Sequence, residues 1–327
     1  MLTVATWNLE NFGRPGVAAA PTSQEAYGAK VEHLAATIAA TGADVIGVQE
    51  VLDPEALEDL RAALGANWHA IASGAPDDPH HPIRVGFLSK LALGNPRDVV
   101  ELPVQLHPIQ QDDTAAAGMH RMGRGALHVT VHYGELEVQF VCCHLKSKLL
   151  SSPNPNSFVP TDEDQRARYG AYALYRRAAE AATIRSYVDQ VLDGKGQERP
   201  LIVLGDMNDE LAAATTQILL GPPGSQIKPA EDISAGDGGF SRDDRGDGMR
   251  LWALDPLIPL ADRWSRTFEG HHELIDHILA SHCLVKPTLP EVTVHHQAQQ
   301  RSISTNPLAD LDDPASDHDP VIARFAI

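Results

Sequence analysis

In the stretch L-I-V-L-G-D-M-N-D, residues 201–209, an apolar run breaks at Gly205 and is followed by Asp206 and Asn208. Residues two apart on an extended backbone face the same way. A strand here therefore presents a carboxylate and a carboxamide together from a rigid mount. The arrangement recurs: L-T-V-A-T-W-N-L-E-N-F carries Asn8 and Glu10 at its end, and A-D-V-I-G-V-Q-E ends in Gln49 and Glu50. L-E-V-Q-F-V-C-C-H-L-K ends in His144 and Lys146. Asp276 lies inside the apolar E-L-I-D-H-I-L-A-S, where a carboxylate without a partner is costly. Asp317 and His318 precede the last apolar alternation.

Carboxylates beside amide oxygens suit hard cations such as magnesium or manganese, and no thiolate lies near them in sequence to suggest zinc. Two histidines with several Asp partners suit acid–base work near neutrality. Lys146 and Asn208 can stabilise negative charge developing on an oxygen. Together these groups make a site for metal-assisted hydrolysis of a phosphoester. Taken singly, each has a plainer reading. Asp206 and Asn208 also suit the start of a helix over 211–220. Glu10 or Glu50 could be a solvated strand-end acid, and Asp317/His318 could open a turn before Pro320. The pairs His80/His81 and His271/His272 are not expected to bind metal, because neighbours on a strand point to opposite faces. The recurrence carries the reading.

The elements that must position these groups follow from periodicity. Residues 24–41 show helical spacing and end at Gly42; Pro54 opens a second helix with Asp53 as its N-cap. Residues 83–90 read as a strand, and residues 94–123 as a loop with one edge strand at most. A-L-H-V-T-V-H-Y, Gly134 and the run ending in His144 read as a hairpin. Residues 151–160 are loop, and Asp164–Leu192 is one long helix. Residues 221–250, rich in Gly, Pro and Asp, read as an exposed excursion, and 292–294 as a short strand. Strands alternate with helices along the whole chain with no shift in composition, which argues for one α/β domain over residues 1–327.

With 26 basic and 44 acidic residues the formal net charge is -18, which disfavours whole-surface attraction to nucleic acid or anionic lipid but leaves room for a local basic groove. The three cysteines, two of them adjacent, do not make a disulfide framework and fit a reducing compartment. No leader and no long apolar run is present, so a soluble cytoplasmic protein without stable membrane insertion is expected.

T-W-N-L-E-N, G-V-Q-E-V, C-H-L-K-S, V-L-G-D-M-N-D, L-I-D-H-I-L and S-D-H-D-P-V together resemble the ordered motif set of the endonuclease/exonuclease/phosphatase superfamily, over residues 3–325. The resemblance implies a four-layer α/β sandwich: two mixed β-sheets face to face with helices outside, rather than one doubly wound sheet. It implies divalent-metal-dependent phosphoester hydrolysis by water. Glu50 resembles the principal Mg2+ (or Mn2+) ligand, with Glu10 and Asp317 helping directly or through water. Asp206 resembles the residue that orients or deprotonates the attacking water, and Asn8 and Asn208 those that hold the phosphate. His318 resembles the histidine on the scissile phosphate, with Asp276 orienting it, and His144 the second histidine of deoxyribonuclease-like members. The family leaves open whether Asp206 or His318 is the formal base. Glu10 stands where many nucleases of the family carry Asp. Arg84 and Arg124 are further phosphate candidates, and a DNA groove would be built from Lys146, Lys148, Arg176 and Arg177. A nuclease acting on DNA is the first expectation. The alternatives are a phosphodiesterase or phosphatase for a small-molecule or lipid-headgroup phosphoester, and a binding protein that keeps the fold without turnover.

Overall fold

The computed structural model describes the chain except residues 75–82, 115–117, 151–159, 161, 235–237, 242–245, 299–300, 304–305 and 307. His80/His81 and most of the 151–160 segment therefore lie outside the described residues.

In chain order the strands are β1 (Leu2–Phe12), β2 (Val45–Val51), β3 (His69–Ala72), β4 (Arg84–Ser89), β5 (Leu93–Glu101), β6 (Arg121–Tyr133), β7 (Leu136–His144) and β8 (Leu201–Asp206). They continue with β9 (Leu251–Ala253), β10 (Arg266–Phe268), β11 (His271–Glu273), β12 (Asp276–Ser281), β13 (Glu291–Val294), β14 (Ser302–Ile303) and β15 (Val321–Phe325). The helices are α1 (Gln24–Thr41), α2 (Pro54–Leu64), α3 (Glu163–Leu192), α4 (Ala214–Leu220) and α5 (His282–Val285). Two six-stranded sheets result, in the orders β13-β15-β1-β2-β4-β3 and β5-β6-β7-β8-β12-β9, beside a small β11-β10-β14 sheet.

Both faces of each central strand are apolar because both are covered. On β1, Leu2 and Val4 join Val129, Phe140, Ile202 and Ile278 between the sheets. Ala5, Trp7 and Leu9 belong to a second cluster, with Leu34 and Ile38 of α1 and Leu57 and Leu60 of α2. On β8, Ile202 and Leu204 face the first sheet, while Leu201 and Val203 pack against Ile184 and Val188 of α3. The layers run helix, sheet, sheet, helix: the four-layer α/β sandwich that the motifs imply.

Local chemistry sets the helix ends. Ser23 and Asp53 accept from the backbone NH groups of Ala26 and Ala56, and Gly42 closes α1 at φ 71. Gly205 permits the parallel β7–β8 pair, since its φ is 146 and a Cβ would meet the Cys143 carbonyl oxygen at 1.9 Å. The structure refines the reading at three places. Residues 93–101 form a full edge strand, paired to β6 with two register shifts that obscure its alternation. The 221–250 stretch is not wholly exposed, because Ser225, Ile227 and Arg250 are buried and Ile227 belongs to the inter-sheet core. The short strands β3, β9, β10, β11 and β14 carry too few residues for a periodic signal. Cys142 and Cys143 are buried and Cys283 half-buried, all as free thiols. Among the described residues no helix is long and apolar enough to cross a membrane.

Candidate active site

Strand direction gathers the motif residues at one end of the sandwich. β1 runs parallel to β2, and β7 parallel to β8, so Asn8, Glu50, His144 and Asp206 all lie at carboxyl ends. β12 and β15 run antiparallel to their neighbours, which brings Asp276 and the residues before Val321 to the same end. Register does the rest: Asp206 pairs with His144 on one side and Asp276 on the other, and Asn8 pairs with Gln49. Several of these residues are held at positive φ: Glu10 at 51, Asn11 at 48, Glu50 at 60 and Asn208 at 52. Non-glycine residues reach that region at a cost of about 1–3 kcal/mol each, and such strain clusters at functional sites.

Asp206 is the hub. Its Oδ2 accepts from Asn8 Nδ2 at 3.0 Å and lies 3.3 Å from His144 Nε2, while Oδ1 accepts from the Asn208 backbone NH at 2.8 Å. Burial favours the neutral acid, but the imidazoles of His144 and His318 outweigh it and hold Asp206 well below the usual carboxylate range. Asn8 spends its amide on two acids, reaching Glu50 Oε1 at 3.3 Å as well. The Asn208 amide donates to the Leu145 carbonyl at 3.0 Å.

His318 and Asp276 form a buried dyad, Nδ1 to Oδ2 at 2.6 Å. The Ser265 hydroxyl donates to the same oxygen at 2.7 Å, whereas Asp276 Oδ1 is buried without a protein partner. Burial depresses the imidazolium, yet Asp276 and then Asp317 and Asp206 raise it to about 10. The backbone under the ring is clamped: Trp7 Nε1 and Gln297 Nε2 both donate to the His318 carbonyl, at 2.7 and 2.8 Å. Its NH donates to the Ser316 hydroxyl, which itself donates to the Asn8 carbonyl at 2.6 Å. His144 Nε2 also faces Arg124 Nη1 at 2.5 Å, and its buried Nδ1 has no protein partner.

Glu50 and Asp317 are the acids suited to a hard cation. Burial pushes Glu50 up, but the charges of His144 and Arg124 and the Asn11 NH at 3.0 Å bring it below its ordinary value. Asp317 is raised, by burial first and by Glu50. Two desolvated carboxylates that repel each other are a fit for a divalent ion taking oxygen donors. Asp206, Asp276 and His318 also offer ligand atoms within 4.8 Å of one another; in the dyad, Asp276 Oδ2 and His318 Nδ1 are spent on each other.

Other expected residues are placed differently. Both carboxylate oxygens of Glu10 accept from Arg301 Nη2, and Lys30 Nζ lies 3.7 Å away. Burial, then Asp317, pushes Glu10 up to about 7. Glu10 is thus an ion-pair anchor in this structure. Lys146 spends its Nζ on its own loop, donating to the Ser147 carbonyl and hydroxyl and to the Leu149 carbonyl, at 3.1, 3.2 and 2.5 Å. Burial, then Arg124 and Arg176, lowers it to about 6. Arg84 donates to the Leu52 carbonyl at 2.8 Å and so braces the turn after Glu50. Arg124 is at the site, donating also to the Leu145 carbonyl at 2.8 Å. Arg177 is buried against Asp209 at 3.0 Å, and Lys148 lies 3.6 and 3.7 Å from Asp209 and Glu273. His272 stacks on Trp264 at 4.0 Å. Sequence reasoning missed Ser265, Lys30, Gln297 and Arg301, which belong to no local pattern; Trp7 and Ser316 stood inside quoted motifs without a role.

No curated protein matches the chain in sequence. Among solved structures, a mannosyl-6-phosphatase from Bacteroides thetaiotaomicron VPI-5482 matches over 100% of both chains at 15% identity, with a TM-score of 0.54. The human Nocturnin catalytic domain with bound sulfate anion matches at 15% identity over 99% of this chain and 94% of its own, with a TM-score of 0.55. Truncated Caenorhabditis elegans TDP2 matches at 13% identity over 99% and 96%, with a TM-score of 0.53. These likenesses are of fold. The family model described as Endonuclease/Exonuclease/phosphatase family matches residues 5–318, so the chain belongs to that family and is a metal-dependent phosphoester hydrolase.

Proposed function

We propose that the chain hydrolyses a small, compact phosphoester by in-line attack of water, with magnesium or manganese at Glu50 and Asp317. The bound cation supplies neutralisation of charge on the phosphate oxygens. Asp206 orients the attacking water. It is the anionic acceptor at the centre of the cluster, whereas Nδ1 of His318 is committed to Asp276. Asn8 sets the spacing of Asp206 and Glu50 through its two hydrogen bonds. His318 Nε2, with Nδ1 committed to Asp276, meets the phosphate and stabilises its developing charge. His144 lies against Asp206 and Arg124 against His144, and the two serve the leaving-group side.

The observation behind the choice of substrate is the commitment of the cations. Lys148, Arg84, Arg177, Arg266 and Arg301 each bind a carbonyl or a carboxylate of the protein itself, and Lys146, lowered to about 6, carries little charge near neutrality. Tracking a DNA backbone requires several cations given over to phosphates. A second reading, a nuclease acting on DNA, is favoured by the joint presence of Glu50, His144, Asp206, Asn208 and His318. A panel of plasmid, single-stranded DNA, RNA, sphingomyelin, inositol phosphates, sugar phosphates and nucleotides, with magnesium, manganese and EDTA, separates them. Salt-insensitive, metal-dependent turnover of a small phosphoester is expected. Cleavage of duplex DNA with log K falling by about 0.9 per neutralised phosphate against log[salt] would establish the second reading instead. Turnover insensitive to EDTA would overturn both.

A further inference from the structure

Asp209 closes the turn that carries Asp206 and Asn208, and three elements converge on it. Its carboxylate accepts from Arg177 Nε of α3 at 3.0 Å and from the Thr215 hydroxyl of α4 at 2.7 Å. Its backbone carbonyl is 2.8 Å from Nε2 of His277 on β12. His277 is fully buried, on the opposite face of β12 from Asp276, and its Nδ1 lies 2.9 Å from Asp255 Oδ1. A carbonyl oxygen and an ionised carboxylate oxygen only accept. Both ring nitrogens therefore donate, and the ring is an imidazolium. Burial works against that charge, but Asp255 and the Asp209 carbonyl raise its pKa to about 9.

The same turn is tied at its other residues. The Met207 NH donates to the Ile275 carbonyl at 2.9 Å, and Asn208, at φ 52, is held by Asp206 and Leu145. A left-handed non-glycine residue persists only where its surroundings over-determine it. Removing the ties at Asp209 lets that residue relax and carries Asp206 with it.

We propose that Asp209 and the Asp255–His277 pair behind it are positioning residues for phosphoester hydrolysis, locking the 206–209 turn so that Asp206 and Asn208 meet the substrate in register. The inference rests on the reading that Asp206 orients the attacking water. None of the three touches the reacting atoms; they act through the backbone and carboxylate of one residue. Misplacing a reacting group by about 1 Å costs about 10²-fold in rate.

The test uses the full chain and bis-(p-nitrophenyl) phosphate with saturating manganese. Asp255→Asn/His277→Gln removes anion and cation together, avoiding the stranded buried charge that a single replacement leaves. Asp209→Asn removes the charge addressed by Arg177 and leaves the backbone carbonyl. Each should lower kcat about 10–100-fold with KM and the half-saturating metal concentration unchanged, as outer-shell lesions do. Hydrogen exchange of the peptide spanning 204–212 should accelerate about tenfold in both, with that of β1 unchanged. Wild-type exchange of the turn in a folded variant overturns the proposal. So does faster exchange with wild-type kcat, or loss of activity that merely follows a lowered melting temperature. Should the wild-type chain hydrolyse no phosphoester, the proposed function falls, and the exchange measurement still decides whether these residues lock the turn.

Discussion

Replacing Asp276 by Asn tests whether the His318–Asp276 dyad works as one unit. The carboxylate has one engaged oxygen, Oδ2, which accepts from His318 Nδ1 at 2.6 Å and from the Ser265 hydroxyl at 2.7 Å, and one buried oxygen without a protein partner. An Asn side chain can keep both bonds by placing its carbonyl at Oδ2 and its amide at Oδ1. The geometry and the tautomer then survive while the charge is lost. A hydrogen bond to a charged group is worth about 1.5–3 kcal/mol. At about 1.4 kcal/mol per decade, Asp276→Asn should lower kcat by about 10–100-fold. His318→Ala removes the imidazole outright and should cost about 10²-fold or more. If Asp276 acts only through His318, the double variant should be no slower than His318→Ala alone. The coupling energy of the cycle would then equal the whole Asp276→Asn effect, about 1.5–3 kcal/mol. The assay is initial-rate hydrolysis of bis-(p-nitrophenyl) phosphate at saturating metal, with melting curves to show that all three variants fold. Additive losses refute the dyad, because they would mean that Asp276 contributes to the reaction without the imidazole.

Further expectations follow from the same geometry. Glu50→Gln should raise the metal concentration for half activity at least about tenfold, as loss of a charged ligand does; an unchanged requirement removes Glu50 from the metal-holding set. Glu10→Gln should leave that requirement within about twofold but destabilise the fold, since Arg301 and buried Lys30 lose their carboxylate partner. Urea melts check the fold, and a tenfold change in metal requirement would restore Glu10 as a ligand. The pKa of His277 rises from 6.5 to about 9 on folding, so its stabilisation is complete below the unfolded value and disappears as pH climbs through the folded one. Wild-type stability should fall by about 3 kcal/mol between these limits, at about 1.4 kcal/mol per pH unit. Asp255→Asn/His277→Gln should lack that fall, and an identical pH profile for both proteins defeats the argument. Lys146→Ala should leave the salt dependence of cleavage unchanged, because its Nζ is bound to the Ser147 and Leu149 carbonyls and carries little charge near neutrality. A shallower slope in that variant would return Lys146 to the phosphate contacts.

Local pattern was enough for the longer central strands, the long helices and the clustering of chemistry at strand ends. The period of a strand is two, so the positions of Ile202, Leu204 and Asp206 in the sequence already place them on one face. Turn and cap chemistry at Ser23, Asp53 and Gly42 is equally local, and the helix limits read at Gly42 and Asp53 are those observed. The cost of burying an acid among Leu274, Ile275 and Ile278 likewise demanded a partner for Asp276 before any partner was visible. Periodicity did not name the partners: the motif resemblance supplied His318 for Asp276, and nothing in the sequence supplied Arg301 for Glu10. His318 stands 42 residues from Asp276, and Arg301 stands 291 from Glu10. Both pairs are set by how strands cross between and within sheets, which has no period to read. That is why Glu10 read as a metal ligand and Lys146 as a phosphate contact. Spacing shows that a charged group sits at the mouth of a strand, but only the packed chain decides whether that charge is free for a ligand or already spent on the protein.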